Sequence, residues 1–179
     1  MAKQEIQVFD YANEITNALS KGVLLTTKYQ DQVNSMTIGW GTLGVVWGEP
    51  MFIAFVRTGR FTRELLDASG EFTVNIPYGD YDKKIIGHCG SRSGREHHKV
   101  EELGLTLVDS DIVKVPGIQE LPLTLECQVL YRQSQDPAAI PESIRATMYP
   151  QDVDSSNPRA NRDYHVAYYG KIVKAYLSQ

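Results

Sequence analysis

Apolar residues in this chain recur mostly at every second position, which is the spacing of half-buried β-strands. Phe72, Val74 and Ile76 alternate with polar neighbours, and the same alternation runs from Leu123 to Tyr131. Runs rich in β-branched residues, bounded by Gly, Pro and Asp, strengthen the interpretation. The pattern predicts strands over residues 22–29, 33–40, 51–56, 71–76, 121–133 and 164–177, with a short strand over 105–108.

Four stretches place apolar residues three or four positions apart, as in short amphipathic helices. They are residues 10–20, 62–68, a stretch after Asp80 that contains Ile85 and Ile86, and 96–103. Asp10, Thr62 and Asp80 are of the types that cap helix starts, and Gly22 and Gly104 of the type that ends helices.

Three segments interrupt the pattern. Residues 39–50 carry four glycines, which predict bends and close backbone approach. Residues 89–95 predict a Gly/Ser-rich loop. The segment Pro137–Pro158 holds four of the eight prolines and predicts an irregular surface excursion, either a lid or a partner contact.

Six or seven strands with short helices between them predict a mostly β fold, an antiparallel barrel with helical caps. No internal repeat is present, and 179 residues suit one domain with a sizeable core, so we expect a single domain over 1–179.

Composition narrows the class of function. The chain is 42% hydrophobic and 22% charged, which is typical of an ordinary globular protein. A net charge of -4 argues against a nucleic-acid partner. No apolar run reaches the roughly 18 residues of a membrane span, the first residues lack a signal-peptide profile, and two cysteines are too few for a disulfide framework. We therefore expect a cytoplasmic protein without a membrane partner.

Two clusters of polar residues indicate a small-molecule site. The first is Asn34-Ser35-Met36-Thr37 followed by Trp40, and the second is Arg57-Thr58-Gly59-Arg60-Phe61-Thr62 at a predicted strand-to-helix junction. Hydroxyls and an amide beside an indole, then arginines where a helix begins, are what flavin mononucleotide (FMN) needs. Its ring must be shielded, its ring edge hydrogen-bonded and its phosphate neutralised.

The order of these motifs resembles the flavin reductase-like, FMN-binding family. The resemblance rests on an ordered set of segments, namely Lys21-Gly22-Val23, residues 34–40, Pro50, residues 57–62, Glu71-Phe72-Thr73-Val74-Asn75-Ile76-Pro77 and Ser93-Gly94-Arg95. It covers residues 10–132 well and the last strand loosely. It implies a split β-barrel with Greek-key antiparallel strands, a homodimer, and FMN bound at or near the dimer interface.

The resemblance also implies roles for individual residues. Asn34, Ser35, Met36 and Thr37 would contact the edge of the isoalloxazine ring, and Trp40 would help to wall the pocket. Arg57 and Thr58 would lie beside the ribityl chain, and Arg60 and Thr62 would hold the phosphate. Ser93, Gly94 and Arg95 would close over the phosphate or ribityl end. Relatives often carry an acidic residue and then a lysine after the Ser-Gly-Arg motif. Here Glu96, His97, His98 and Lys99 follow.

Other interpretations stay open from the sequence. Arg63 is better placed on a solvated helix face, and His97 and His98 suit exposed helix positions better than a zinc site. Cys127 alternates with core residues. His165 is either a packed strand histidine or a proton relay near the flavin.

Two functions from different classes fit the motifs, and a third interpretation has no flavin. The first is an NAD(P)H-dependent oxidoreductase, with NAD(P)H as a transient hydride donor. The second is an FMN electron carrier without nicotinamide activity. In both the flavin carries the chemistry, so no catalytic side chain and no metal are expected.

Overall fold

The computed structural model describes residues 2–154 and 162–178. Its strands are β1 (Lys3–Glu5), β2 (Val23–Tyr29), β3 (Gln32–Ile38), β4 (Gly41–Val46), β5 (Glu49–Arg57), β6 (Glu71–Ile76), β7 (Leu107–Val108), β8 (Gly117–Ile118), β9 (Leu123–Ser134) and β10 (His165–Ser178). Its α-helices are α1 (Ala12–Leu19), α2 (Phe61–Ser69), α3 (Lys84–Ser91), α4 (Lys99–Glu102) and α5 (Glu142–Met148), with 3-10 helices at Val8–Tyr11 and Pro137–Ala139.

Eight strands form one antiparallel sheet in the order β3-β2-β6-β9-β10-β5-β4, with β1 added beside β10, while β7 and β8 pair separately. Strands β6, β9 and β10 lie side by side, and β5 returns next to β10. This is a Greek-key arrangement. The predicted mostly β, antiparallel fold is therefore confirmed.

The glycine-rich segment after Trp40 is a strand rather than a series of bends. Strand β4 pairs with β5 along its whole length, in a second hairpin that the sequence pattern did not predict. Its turn is Trp47-Gly48, with φ of 55° and 77°, the pair of positive values that a two-residue type I′ turn needs. Position 41 requires a glycine because a β-carbon there would lie 2.8 Å from the Phe52 ring.

The segment between β6 and β7 departs most from prediction. Helix α3 begins at Lys84 rather than near Asp80, and the Lys84 amide donates to Oδ1 of Asp82 (2.9 Å). The helix then continues through Cys89, where a loop was predicted. The reason is packing, because Ile85 and Cys89 lie one turn apart and are both buried in a small second core.

Three smaller predictions were also inaccurate. The helix predicted over 96–103 is the single turn α4. The segment predicted to be irregular, 137–158, contains a 3-10 helix and α5, and its residues 155–158 lie outside the described part of the chain. Strand β1 has three residues and was missed because so short a segment shows no alternation.

The main core is formed by apolar side chains of the sheet strands, and α1 and α2 pack against these strands. One charged group is fully buried beside it. Glu126 on β9 accepts hydrogen bonds from the amides of Asp111 (2.8 Å), Ile112 (2.8 Å) and Val113 (3.1 Å). Its carboxylate therefore holds the turn between β7 and β8 against the sheet. Among the described residues, no helix is long and apolar enough to cross a membrane.

Candidate functional site

A cavity of about 350 Å³ opens between β3, the β5–α2 junction and the α3–α4 connection. Its volume lies within the range of small-molecule sites. Most of its walls come from four segments, namely residues 36–40, residues 59–62, Cys89 and Gly90, and residues 92–95. Phe55, Arg57, Lys99 and His165 complete the lining.

One end of the cavity lies at the start of α2. The helix begins at Phe61 with Arg60 as its N-cap, so Thr62 does not cap the helix but sits inside its first turn, buried. The side-chain amide of Asn34 donates to Oγ1 of Thr62 at 2.6 Å. Because Oγ1 already accepts, the hydroxyl hydrogen of Thr62 remains to donate to a ligand. Helix N-termini favour anions, and Arg60 adds a full positive charge here.

Lys99 adds a second cation to this end, and it is the most unusual group in the cavity. Its side chain is only 3% exposed, and its ammonium donates to the carbonyl of Arg92 over 3.4 Å. Burial lowers the pKa of Lys99, and Arg60 lowers it further, while Cys89 and Glu102 act in the opposite direction. Within residues 2–154 and 162–178 this buried ammonium has one long hydrogen bond and another cation nearby, so it lacks a full set of partners there.

Gly94 brings the next loop close to the same end. A β-carbon at this position would clash with the side-chain oxygen of Asn34 and would lie 2.8 Å from the Phe61 ring. The neighbouring Arg95 reaches across α2, where it binds Glu64 and donates to the carbonyl of Gly59 (3.2 Å). The loop is therefore fixed against the helix start.

The other end of the cavity is aromatic. The Trp40 and His165 rings lie 4.5 Å apart, and Tyr149, which follows α5, contacts both at ring distances of 6.3 Å and 5.7 Å. Arg57 stacks over Trp40 and Tyr149 and donates to the carbonyls of Asp163 (2.7 Å) and Met148 (3.2 Å). Burial lowers the pKa of Arg57, and Asp163 opposes that change. Arg57 thus braces this end of the cavity.

Burial, aided by Arg57 and Arg60, lowers the pKa of His165 from 6.5 to about 4. The unfolded chain therefore binds more protons than the folded chain between these values, so stability falls as pH falls through this window. A change of this size in the pKa corresponds to at most about 3 kcal/mol of stability. We expect His165→Asn to reduce the loss of stability between pH 7 and pH 4.5, measured by urea unfolding. The control is His98→Asn, because His98 is exposed. An equal loss of stability between pH 7 and pH 4.5 in the native chain and in His165→Asn would contradict this assignment.

The structure brings most of the predicted site residues together, but not all of them. Nine line the cavity: Met36, Thr37, Trp40, Arg57, Arg60, Thr62, Ser93, Gly94 and Arg95. The other three, Asn34, Ser35 and Thr58, do not belong to its lining. Asn34 acts through Thr62. The Ser35 hydroxyl is fully buried and bonds the Thr26 hydroxyl (2.8 Å), and the Thr58 amide donates to the Tyr164 carbonyl (3.0 Å).

Several lining residues, including Cys89 and Lys99, were not predicted as site residues. The signal for Lys99 was the lysine that relatives carry after the Ser-Gly-Arg motif. The helix expected around His97 and His98 is wrong, because α4 starts after them. His97 and His88 both bond the carboxylate of Glu102, at 2.9 Å and 2.7 Å.

Comparison with known proteins places the chain among flavin-related proteins. Residues 17–178 match the model of the flavin reductase like domain. An uncharacterized protein of Archaeoglobus fulgidus is 34% identical over 100 residues, which are 56% of this chain and 55% of that protein. The chain thus matches just over half the length of this curated relative.

Two solved structures share the fold. The FMN-binding domain of a flavin reductases-like enzyme from Shewanella baltica has a TM-score of 0.66 at 15% identity, covering 98% of this chain and 77% of that one. Flavoredoxin from Methanosarcina acetivorans has a TM-score of 0.64 at 24% identity, covering 88% and 68%. The predicted split β-barrel is confirmed. Since the family model spans nearly the whole chain, this protein belongs to the flavin reductase-like family.

Proposed function

We propose that the protein binds FMN in this cavity, with the phosphate at the start of α2 and the ring toward Trp40. The observation that carries the proposal is Lys99, a buried ammonium beside Arg60 with a single long hydrogen bond to the described part of the chain. A phosphate placed there would bond Lys99, Arg60 and the Thr62 hydroxyl, and would give the Lys99 ammonium an anionic partner. Because Gly94 has no side chain, its loop lies close enough to the start of α2 to cover the phosphate.

The aromatic end suits the isoalloxazine ring. Trp40 and Phe55 offer flat apolar surface, and Thr37 and the backbone of residues 36–39 lie in the wall at the ring edge. The Thr37 hydroxyl already donates to the Ile86 carbonyl (2.6 Å), so it is left to accept from a ligand. Ser93 and Arg95 lie beside the phosphate or ribityl end, as the family resemblance implies.

Bound FMN would supply two-electron and one-electron redox chemistry. The protein would be an oxidoreductase in which the side chains bind, orient and shield the flavin. A nicotinamide nucleotide, NADH or NADPH, would be the transient hydride donor.

A second candidate is an FMN electron carrier without nicotinamide activity. The observation in its favour is the packing of Tyr149, at the end of α5, against Trp40 (6.3 Å), because it sets this segment beside the aromatic end where a nicotinamide ring would enter. Anaerobic mixing of the FMN-loaded protein with NADH and with NADPH separates the two. Fast bleaching of the flavin spectrum supports the oxidoreductase, and bleaching by dithionite alone supports the carrier.

Arg60→Ala tests the phosphate position. We expect FMN affinity to fall by about 10- to 150-fold, because a charge-assisted hydrogen bond of about 1.5–3 kcal/mol is lost. Calorimetric titration with FMN measures it. Arg63→Ala is the matched control, since Arg63 lies outside the cavity lining and binds Asp67 and the Thr58 carbonyl. Unchanged FMN affinity in the double variant Arg60→Ala, Thr62→Ala would show that the phosphate lies elsewhere.

We also propose a homodimer, through an aromatic patch made of Val45, Trp47, Tyr131 and Tyr169. Val45 and Trp47 are 62% and 64% exposed, and the Trp47 and Tyr169 rings each contact Tyr131 (6.2 Å and 5.2 Å). The patch adjoins β4, the last strand on its side of the sheet, so a second copy would cover both apolar surface and a strand edge.

Trp47→Asn tests this interface, because Asn tolerates the positive φ of the turn while removing the indole. We expect the native chain to sediment as a dimer and Trp47→Asn to shift toward monomer on dilution, measured by sedimentation velocity. Tyr29→Asn, an exposed tyrosine at the β2–β3 turn, should leave the dimer intact. A monomeric native chain, or an unchanged dimer in Trp47→Asn, would contradict the interface. The cytoplasmic location and the single-domain organisation stay predictions.

A further inference from the structure

A hydrogen-bond chain links the cavity to the segment after β9. The hydroxyl of Tyr149 lies 2.8 Å from Oε1 of Gln135 and 2.8 Å from Nδ1 of His165. The backbone amide of His165 also donates to Oε1 of Gln135, at 3.0 Å. Tyr149 is 2% exposed and His165 is 6% exposed, so the hydrogen bonds between them are shielded from water.

The donor and the acceptor of each of these hydrogen bonds can be assigned from one group whose role is not ambiguous. A backbone N–H only donates, so the Gln135 atom that faces the His165 amide must be the carbonyl oxygen. The Tyr149 hydroxyl bonds the same oxygen and must donate to it. Its own oxygen then accepts from Nδ1 of His165, which must carry a hydrogen.

From this geometry we infer that Tyr149 and Gln135 hold His165 in the Nδ1–H tautomer, so that Nε2 presents a hydrogen-bond acceptor to a ligand in the cavity. His165 lines the cavity, and its Nε2 has no hydrogen-bond partner within residues 2–154 and 162–178. The ligand group it would accept from is a neutral N–H or O–H donor. Tyr149 and Gln135 are positioning residues, since they reach the cavity only through His165.

Burial is the main reason that the imidazole stays neutral. Arg57 from β5 and Arg60 before α2 also oppose a second proton on the ring, whereas Asp163 before β10 favours it. Tyr149 remains a phenol that can donate, because burial raises its pKa. Nε2 therefore stays an acceptor across the physiological range.

Side-chain ¹⁵N–¹H correlation spectra of the ligand-free protein test the tautomer between about pH 5 and pH 8. We expect the spectra of the native chain to show a hydrogen on Nδ1 of His165 and none on Nε2. We expect Tyr149→Phe, which keeps the ring and loses the hydroxyl, to convert a measurable fraction to the other tautomer. Tyr164→Phe is the control, since its ring stacks on Tyr149 at 4.5 Å outside the hydrogen-bond chain. A proton on Nε2 in the native chain, or no change in Tyr149→Phe, would overturn the inference.

The ligand part rests on the proposed FMN function, whereas the tautomer part does not. Adding FMN to the native chain should shift the Nε2 resonance, and Tyr149→Phe should weaken FMN binding about 2- to 10-fold. A protein that retains FMN without any shift at Nε2 would refute the acceptor role. A protein that retains no FMN would refute the proposed function. The tautomer would still be tested by the spectra of the ligand-free protein.

Discussion

Replacing Lys99 with Met should change two properties in opposite directions. Without FMN the variant should be more stable than the native chain, because a buried ammonium with one long hydrogen bond is replaced by an apolar side chain of similar length. A gain of about 1–2 kcal/mol would raise Tm by a few degrees in a chain of this size. FMN affinity should fall by about 10- to 150-fold, because the phosphate loses a charged partner. Thermal unfolding and calorimetric titration measure the two effects.

The Lys99→Met variant should also lose a dependence of stability on pH. The pKa of Lys99 is lowered in the folded chain from an ordinary value of 10.5, so between the lowered pKa and 10.5 the unfolded chain binds more protons. The native chain should therefore gain stability as pH rises toward 10.5, and Lys99→Met should lack that gain. Lys84→Met, at an exposed position on α3, is the control. A variant that is less stable without FMN and binds FMN as before would show that Lys99 supports the fold rather than a ligand.

Glu126→Gln should be among the most destabilising single changes in the chain. The carboxylate accepts three backbone hydrogen bonds with both oxygens, whereas the amide of glutamine would turn an N–H₂ group toward at least one of those donors. Buried amides without acceptors cost about 1–3 kcal/mol each, and one or two would lose their acceptor, so we expect a loss of about 2–5 kcal/mol in the free energy of unfolding. Urea unfolding measures it.

Glu120→Gln is the matched control for this prediction. Glu120 also accepts a backbone hydrogen bond with both oxygens, from the Thr106 amide at 2.9 Å and 3.1 Å, but at the surface. Water can replace its lost acceptor, so we expect a change of about 1 kcal/mol or less. Equal losses in the two variants would show that burial of Glu126 does not matter.

The strands could be predicted because alternation reports a sheet with one buried face. Strand β6, with Phe72, Val74 and Ile76, is an example, and its predicted bounds are those of the structure. Strand β4 could not be predicted in this way. Its glycines make room for rings on the neighbouring strand, as Gly41 does for Phe52, and that contact is long-range. The continuation of α3 through Cys89 likewise depends on a core formed with Leu105 and Leu121.

The cavity was predictable where it is built from local sequence. Arg60 and Thr62 follow one strand directly and open a helix, which is a local signal for an anion site. The importance of Lys99 could not be read in this way, because its burial depends on residues that fold around it. The pairing of Tyr149 with His165 and Gln135 joins segments that only the fold brings together, and Tyr149 itself lies in the segment for which the sequence predicted irregular structure.

Titration of the native chain with FMN and, in parallel, with riboflavin tests the central claim most directly, because the two ligands differ only in the phosphate. The arrangement of Arg60, Thr62 and Lys99 predicts that FMN binds at least about 10-fold more tightly than riboflavin. Equal affinities, or binding of neither ligand, would contradict an FMN site in this cavity.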